Sequence, residues 1–221
     1  MGRSRTLPRA IAVAALAFAL AGCSGPAGSG TVGSSGPQPS SSAPAAAVLW
    51  PAPPDPLERT VAAGLEPDVE EHATNHVHAH VDVFIDGKPI VIPAGIGINT
   101  EDPDVRTFDE PDGSVSYGGI ERCAKPCISP LHTHFATGIV HTESKTPEPN
   151  TLGQFFTEWG VALTDTCVGE FCSPKPIAFY VNGEPYTGDP TTIELADLTE
   201  IAIVIGTPPA EIPKTADFSN E

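Results

Sequence analysis

Methionine is nearly absent: Met1 is the only one among 221 residues. Without further thioether ligands, the chain is a poor candidate for a methionine-rich copper(I) carrier or for a blue-copper site with an axial Met. Basic residues are scarce too, with 11 Lys plus Arg against 28 Asp plus Glu and a formal net charge of −17. Such a surface repels phosphate backbones, which excludes nucleic acid as a partner. No apolar run reaches the ~20 residues that a membrane-spanning helix needs. The familiar signatures of hydrolases and nucleotide-binding enzymes are also missing: there is no G-x-S-x-G, no H-E-x-x-H and no phosphate loop. No residue is therefore assigned a catalytic role.

What is present begins with an export signal. Arg3, Arg5 and Arg9 form a positive start, and the apolar run from Ala10 to Ala21 has the length of a signal-peptide core. Leu20-Ala21-Gly22-Cys23 comes next. This order of charge, apolar core and box resembles the lipobox of bacterial lipoproteins. The resemblance implies that residues 1–22 are removed and that Cys23 receives a diacylglycerol. The mature protein would then be anchored to the membrane from outside the cytoplasm. The alternative is an ordinary cleaved signal with Cys23 incidental. Removal of the signal takes away three basic residues and leaves 8 against 28 acidic ones, a net of −20.

Residues 23–56 are rich in Ser, Gly, Ala and Pro and nearly uncharged. Such a composition buries too little to offset chain entropy, so it reads as a disordered tether with a reach of roughly 30 Å. Val48-Leu49-Trp50 is an apolar patch within it that can dock on the folded part of the chain. Residues 57–207 are long enough for one domain with a core of its own, and residues 208–221 read as a loose tail.

Within the domain, Asp55-Pro56-Leu57-Glu58 has the form of a helix start, with Leu57, Val61 and Leu65 near one face. From Val77 the period becomes two, and apolar residues alternate with His76, His78, His80 and Asp82, which predicts a strand. Asp86-Gly87 marks a hairpin turn, echoed by Asn182-Gly183 in a similar setting. Thr151 and Gln154 have capping-box spacing, and Leu152, Phe155, Phe156 and Trp159 form the core-facing stripe of a second helix ending at Gly160. Residues 102–119 are turn-rich and read as a surface excursion. Residues 200–205 read as a buried last strand. The class predicted is α+β: mostly antiparallel β hairpins with one or two short helices packed on the sheet.

The histidines carry the chemistry. All seven lie between residues 72 and 141. His76, His78 and His80 share one face of the first strand, since alternate residues point the same way. A hairpin turning at Thr137-Gly138 sets His134 opposite His141 and His132 opposite Glu143, with His134 as the central ligand. Three imidazoles and a carboxylate suit a divalent transition metal, Zn2+ or Cu2+. His76, His78 and His80 are further candidates if their strand lies alongside. A polar, merely solvated histidine face is the competing reading.

Four cysteines remain after Cys23, an even number that in an exported protein suggests two disulfides. Of three connectivities, the local pairs Cys123–Cys127 and Cys167–Cys172 are favoured, because each lies in a short, turn-rich segment. The alternatives are a redox pair, or Cys123 and Cys127 joining His132 and His134 on a metal. The segments 76–93, 132–143 and 151–160 together resemble a family of secreted bacterial proteins with H-x-H-x-H and L-H-T-H motifs. That resemblance covers most of the mature domain and implies no particular activity. The function expected is metal binding by a lipid-anchored envelope protein, with the membrane and a metal ion as its partners. A metal-dependent enzyme using the same histidines, or a non-catalytic interaction module, are the alternatives.

Overall fold

Apolar residues at every second position from Val77 to Val83 turn one face of that segment toward a core and leave its histidines on the other. In the computed structural model, which describes residues 48–219, this segment lies in the long strand β1 (Asn75–Ile85). The signal peptide, Cys23 and most of the tether lie outside the described residues. Helix α1 (Pro56–Ala62) comes before β1. After it come β2 (Lys88–Pro89), β3 (Arg106–Asp109), β4 (Val115–Gly118), β5 (Leu131–His132) and β6 (Ile139–Ser144). Helix α2 (Leu152–Trp159) is followed by β7 (Cys167–Val168), β8 (Phe171–Cys172), β9 (Ile177–Val181), β10 (Glu184–Tyr186) and β11 (Thr199–Ile205).

The main sheet has the order β10-β9-β11-β1-β6-β5, with β2 also paired to β1. Strands β1 and β11 run parallel, and the other pairs are antiparallel. This is the α+β fold that the sequence patterning predicts. The parallel pair places the continuous apolar run of β11 in the middle, where all seven of its residues are buried, as strands covered on both faces are.

One face of the sheet carries the main core. Ala79, Val81 and Val83 of β1 and Ile201, Ile203 and Ile205 of β11 pack with Leu152, Phe155, Phe156 and Trp159 of α2. That helix forms as its spacing predicts. Gln154 N–H donates to Thr151 Oγ1 and Thr151 N–H to Gln154 Oε1, at 3.3 and 2.9 Å, and Gly160 closes the helix in the left-handed conformation at φ 74°. Helix α1 is oriented otherwise than its apolar residues suggest: Thr60 is buried, while Val61 is 63% exposed. The Thr60 hydroxyl bonds Pro56 O at 3.0 Å, so it enters the core with its polarity satisfied.

Both ends of the described chain pack more closely than their composition predicts. Trp50 stands edge-on to Trp159, with ring centroids 5.6 Å apart, and its carbonyl accepts from Trp159 Nε1 at 2.9 Å. The packed unit thus begins at Trp50 rather than Leu57, and the anticipated docking is made by the tryptophan while Val48 and Leu49 stay exposed. The tail is not loose throughout. Ile212 packs on Phe84, Ala202 and Val204 on the second face of the sheet, because a strand buried on both sides needs cover there.

The two hairpin turns form as read, with Asp86 and Gly87 at φ 48° and 80° and Asn182 and Gly183 at 51° and 79°. Positive φ at both central positions is the requirement of a type I′ turn. Both local cysteine pairs are at bonding distance: Cys123–Cys127 at 2.02 Å and Cys167–Cys172 at 2.13 Å between sulfurs. The first takes Cys123 and Cys127 out of the set of metal ligands. It sits in a small second core with Ile98, Val105, Ile120 and Ile128. Among the described residues, no helix is long and apolar enough to cross a membrane.

Candidate metal centre

The face of β1 turned away from α2 presents His76, His78, His80 and Asp82. Its antiparallel neighbour β6 sets His141 beside His78 and Glu143 beside His76. On the far side of β6, β5 sets His132 beside His141. His132, His141 and His78 therefore form one row across three adjacent strands.

This register differs by two residues from the hairpin expected at Thr137-Gly138, which would have put His134 opposite His141 and His132 opposite Glu143. The cause lies at Thr133. Its N–H donates to Ile96 O at 3.1 Å, its carbonyl accepts from Gly95 at 2.8 Å, and its hydroxyl donates to Pro93 O at 2.9 Å. The chain thus leaves β6 after His132 to pair with the 93–97 loop, and a wide connection returns to Ile139. A slip of two residues keeps every side chain on its face, because side chains alternate with period two. His132, His141 and Glu143 remain on one face for that reason.

His134 sits beyond the end of β5 and swings its ring over the row. Its ring centroid lies 4.6 Å from that of His132 and 4.6 Å from that of His141, each nearly perpendicular to it. His132 and His141 stack at 5.4 Å. One donor atom from each of His132, His134, His141 and Glu143 lies within 4.8 Å of the others. The same holds for His76, His78 and His141.

The tautomers of two of these rings follow from their partners. His132 Nδ1–H donates to the carbonyl of Ser129 at 2.9 Å, and His134 Nδ1–H to the carbonyl of Tyr117 at 2.7 Å. A carbonyl only accepts, so in both rings Nδ1 carries a proton, and Nε2 is the nitrogen turned toward the cluster. The two Nε2 atoms face each other at 3.1 Å. At that distance a proton on His134 Nε2 can be donated to His132, or both nitrogens can turn their lone pairs to one metal ion. Backbone carbonyls that orient the far nitrogen are the usual outer partners of metal-binding histidines. Tyr117 belongs to β4, so the excursion at 102–119 is a wall of the site and not only surface.

Burial sets the electrostatics. His132 is fully enclosed, and its pKa is held well below the ordinary value by that burial and by neighbouring His134 and His141. For Glu143, burial pushes upward, but His141, His76 and His134 outweigh it and hold the carboxyl below its usual range. Glu71, absent from the sequence-based set, places Oε1 3.6 Å from His134 Nε2. Burial, and next the charge of Glu143, push its carboxyl up to about 7. Only its place in the fold reveals Glu71, because it stands in an irregular acidic stretch with no periodic signal.

His80 stands apart. Its Nδ1 lies 2.8 Å from Glu200 Oε2 and its Nε2 2.9 Å from Thr137 O. With acceptors on both nitrogens the ring is held as an imidazolium. Burial opposes the charge, but Glu200, Asp82 and Thr137 outweigh it and raise the pKa. His80, Asp82 and Glu200 form a separate group, and neither acid was distinguished from the sequence. His72 pairs with Asp68 at 2.9 Å. No family model, curated protein or solved structure matches this chain.

Proposed function

We propose that this protein is a lipid-anchored, extracytoplasmic binder of a divalent transition metal, Zn2+ or Cu2+, held by His132, His134, His141 and Glu143. The observation that carries the reading is the convergence of one donor atom from each of His132, His134, His141 and Glu143, with the two Nε2 atoms of His132 and His134 3.1 Å apart and turned inward by backbone carbonyls on Nδ1. Tetrahedral ligands about 2.05 Å from a zinc ion are about 3.3 Å apart, so the pair needs only a small adjustment. Imidazole and carboxylate donors with no thioether suit Zn2+ or Cu2+. Four protein ligands in a buried site leave no open position for a reacting water, which favours sequestration or delivery over catalysis. The two disulfides suit an oxidising compartment, and the Leu20-Ala21-Gly22-Cys23 box supplies the anchor.

Calorimetric titration of metal-free protein with Zn2+ and with Cu2+ tests the binding. We expect saturable binding, lost or weakened by more than ~100-fold in His132→Ala and in His134→Ala, a larger effect than removal of an orienting partner. Absence of micromolar binding, or binding indifferent to both substitutions, would leave a buried, hydrogen-bonded histidine cluster without metal as the better reading. For the anchor, Cys23→Ser should move the protein from membranes to the soluble fraction or block its maturation. Unchanged membrane retention and detergent partitioning would contradict lipidation.

A further inference from the structure

We propose that the centre holds two metal ions per chain, the second bound by His76 and His78 at the open side of the cluster and bridged to the first by Glu143. This rests on the metal-binding reading above.

The argument starts from strand geometry. Two H-x-H pairs flank β6, one on β1 and one at the end of β5. His78 and His132 both stand beside His141, on its two sides. The ring arrangement repeats accordingly. His76 and His78 are 4.8 Å apart at 79°, and His78 and His141 are 4.6 Å apart at 79°. On the other side, His132 and His134 are 4.6 Å apart at 74°, and His134 and His141 4.6 Å apart at 75°. His141 is thus flanked by two similar imidazole pairs.

The donor atoms converge in the second pair as in the first. His76 Nε2 lies 3.0 Å from His78 Nε2 and 3.0 Å from Glu143 Oε1. The same Glu143 oxygen lies 3.7 Å from His141 Nδ1. The carboxylate therefore stands between the two groups, with two oxygens to share. A carboxylate-bridged pair of ions ~3.5–4 Å apart is a common two-metal arrangement. Glu143 lies between the two groups, so its carboxylate offsets part of the repulsion between two dications.

The two positions differ in access. His132 is fully buried, whereas the His76 side chain is 44% exposed. The outer ion has two imidazoles and a bridging carboxylate, with its remaining positions open to water. It is the weaker and faster-exchanging of the two.

The test is Zn2+ stoichiometry by native mass spectrometry and calorimetry on the folded, disulfide-intact protein, with Cu2+ loading followed by electron paramagnetic resonance. Wild type should bind two ions in two resolved steps. His76→Ala/His78→Ala should bind one, with the tighter step unchanged. Two Cu2+ ions should show magnetic coupling that the double variant lacks. His76→Gln alone, at an exposed position, repeats the test with the least disturbance of the fold and should weaken the second step at least about tenfold. One ion in wild type, abolished by His132→Ala, overturns the second site and leaves the first intact. No ion in wild type overturns both readings. Two ions in the double variant overturn the assignment to His76 and His78.

Discussion

Glu158 should make this protein lose stability as the pH rises. It lies on α2, fully buried, and accepts a 2.5 Å hydrogen bond from Ser129 Oγ. Burial pushes its carboxyl up to about 8, with Ser129 and Thr60 opposing. The unfolded chain titrates near the ordinary value of 4.5. Between those limits the folded state binds the extra proton, so stability falls with rising pH across this window and is fully retained below it. Each pKa unit corresponds to ~1.4 kcal/mol, so the full cost above the window is about 5 kcal/mol. Buried, neutral His132 works the other way, losing stability as pH falls below its unfolded value of 6.5. The comparison must therefore be between wild type and Glu158→Gln, in which that contribution cancels. Urea unfolding at pH 5 and pH 8.5, with chelator present so that metal linkage does not enter, gives the two slopes. Wild type should lose several kcal/mol more than the Gln variant over this interval. Parallel pH profiles for the two proteins would refute the reasoning. The Ser129 contact also links Glu158 to the candidate metal centre, since the Ser129 carbonyl orients His132.

Three other outcomes are expected. Thiol titration of the unfolded, unreduced protein should find no free cysteine among Cys123, Cys127, Cys167 and Cys172; two or more reactive thiols among these four would contradict the disulfide assignment. Phe156→Ala empties a fully enclosed position between α2 and the sheet and should cost ~3–5 kcal/mol in chemical unfolding; a loss under 1 kcal/mol would mean the helix is not packed as described. Metal-loaded protein dialysed at pH 5 should give up its metal, retaining it at pH 7.5, because protons compete for the imidazole nitrogens; elemental analysis after dialysis decides this, and full retention at pH 5 would argue against histidine ligation.

Local rules were enough for much of this protein. Period-two alternation identified β1 and its histidine face, the Thr151–Gln154 capping box and the aromatic stripe identified α2, and Asp86-Gly87 and Asn182-Gly183 identified two turns. Each depends on residues within a few positions of one another, where sterics and hydrogen bonding act without the rest of the fold. The grouping of His132, His141 and Glu143 on one face was legible for the same reason, since it survives any even shift in register, whereas His134 lies beyond the strand and is held to the cluster by Tyr117. Only tertiary structure decided the register itself, because Thr133 is drawn away by the loop at 93–97, some forty residues earlier. Contacts of similar or longer range separated His80 into an ion pair with Glu200, brought Glu71 to the cluster, and docked Trp50 and Ile212 at the two ends. Carbonyls nearer in sequence, of Ser129 and Tyr117, hold the Nδ1 protons of His132 and His134. Composition and spacing say which groups are available. Which nitrogen is turned toward the cluster depends on backbone carbonyls in loops whose path no local pattern encodes.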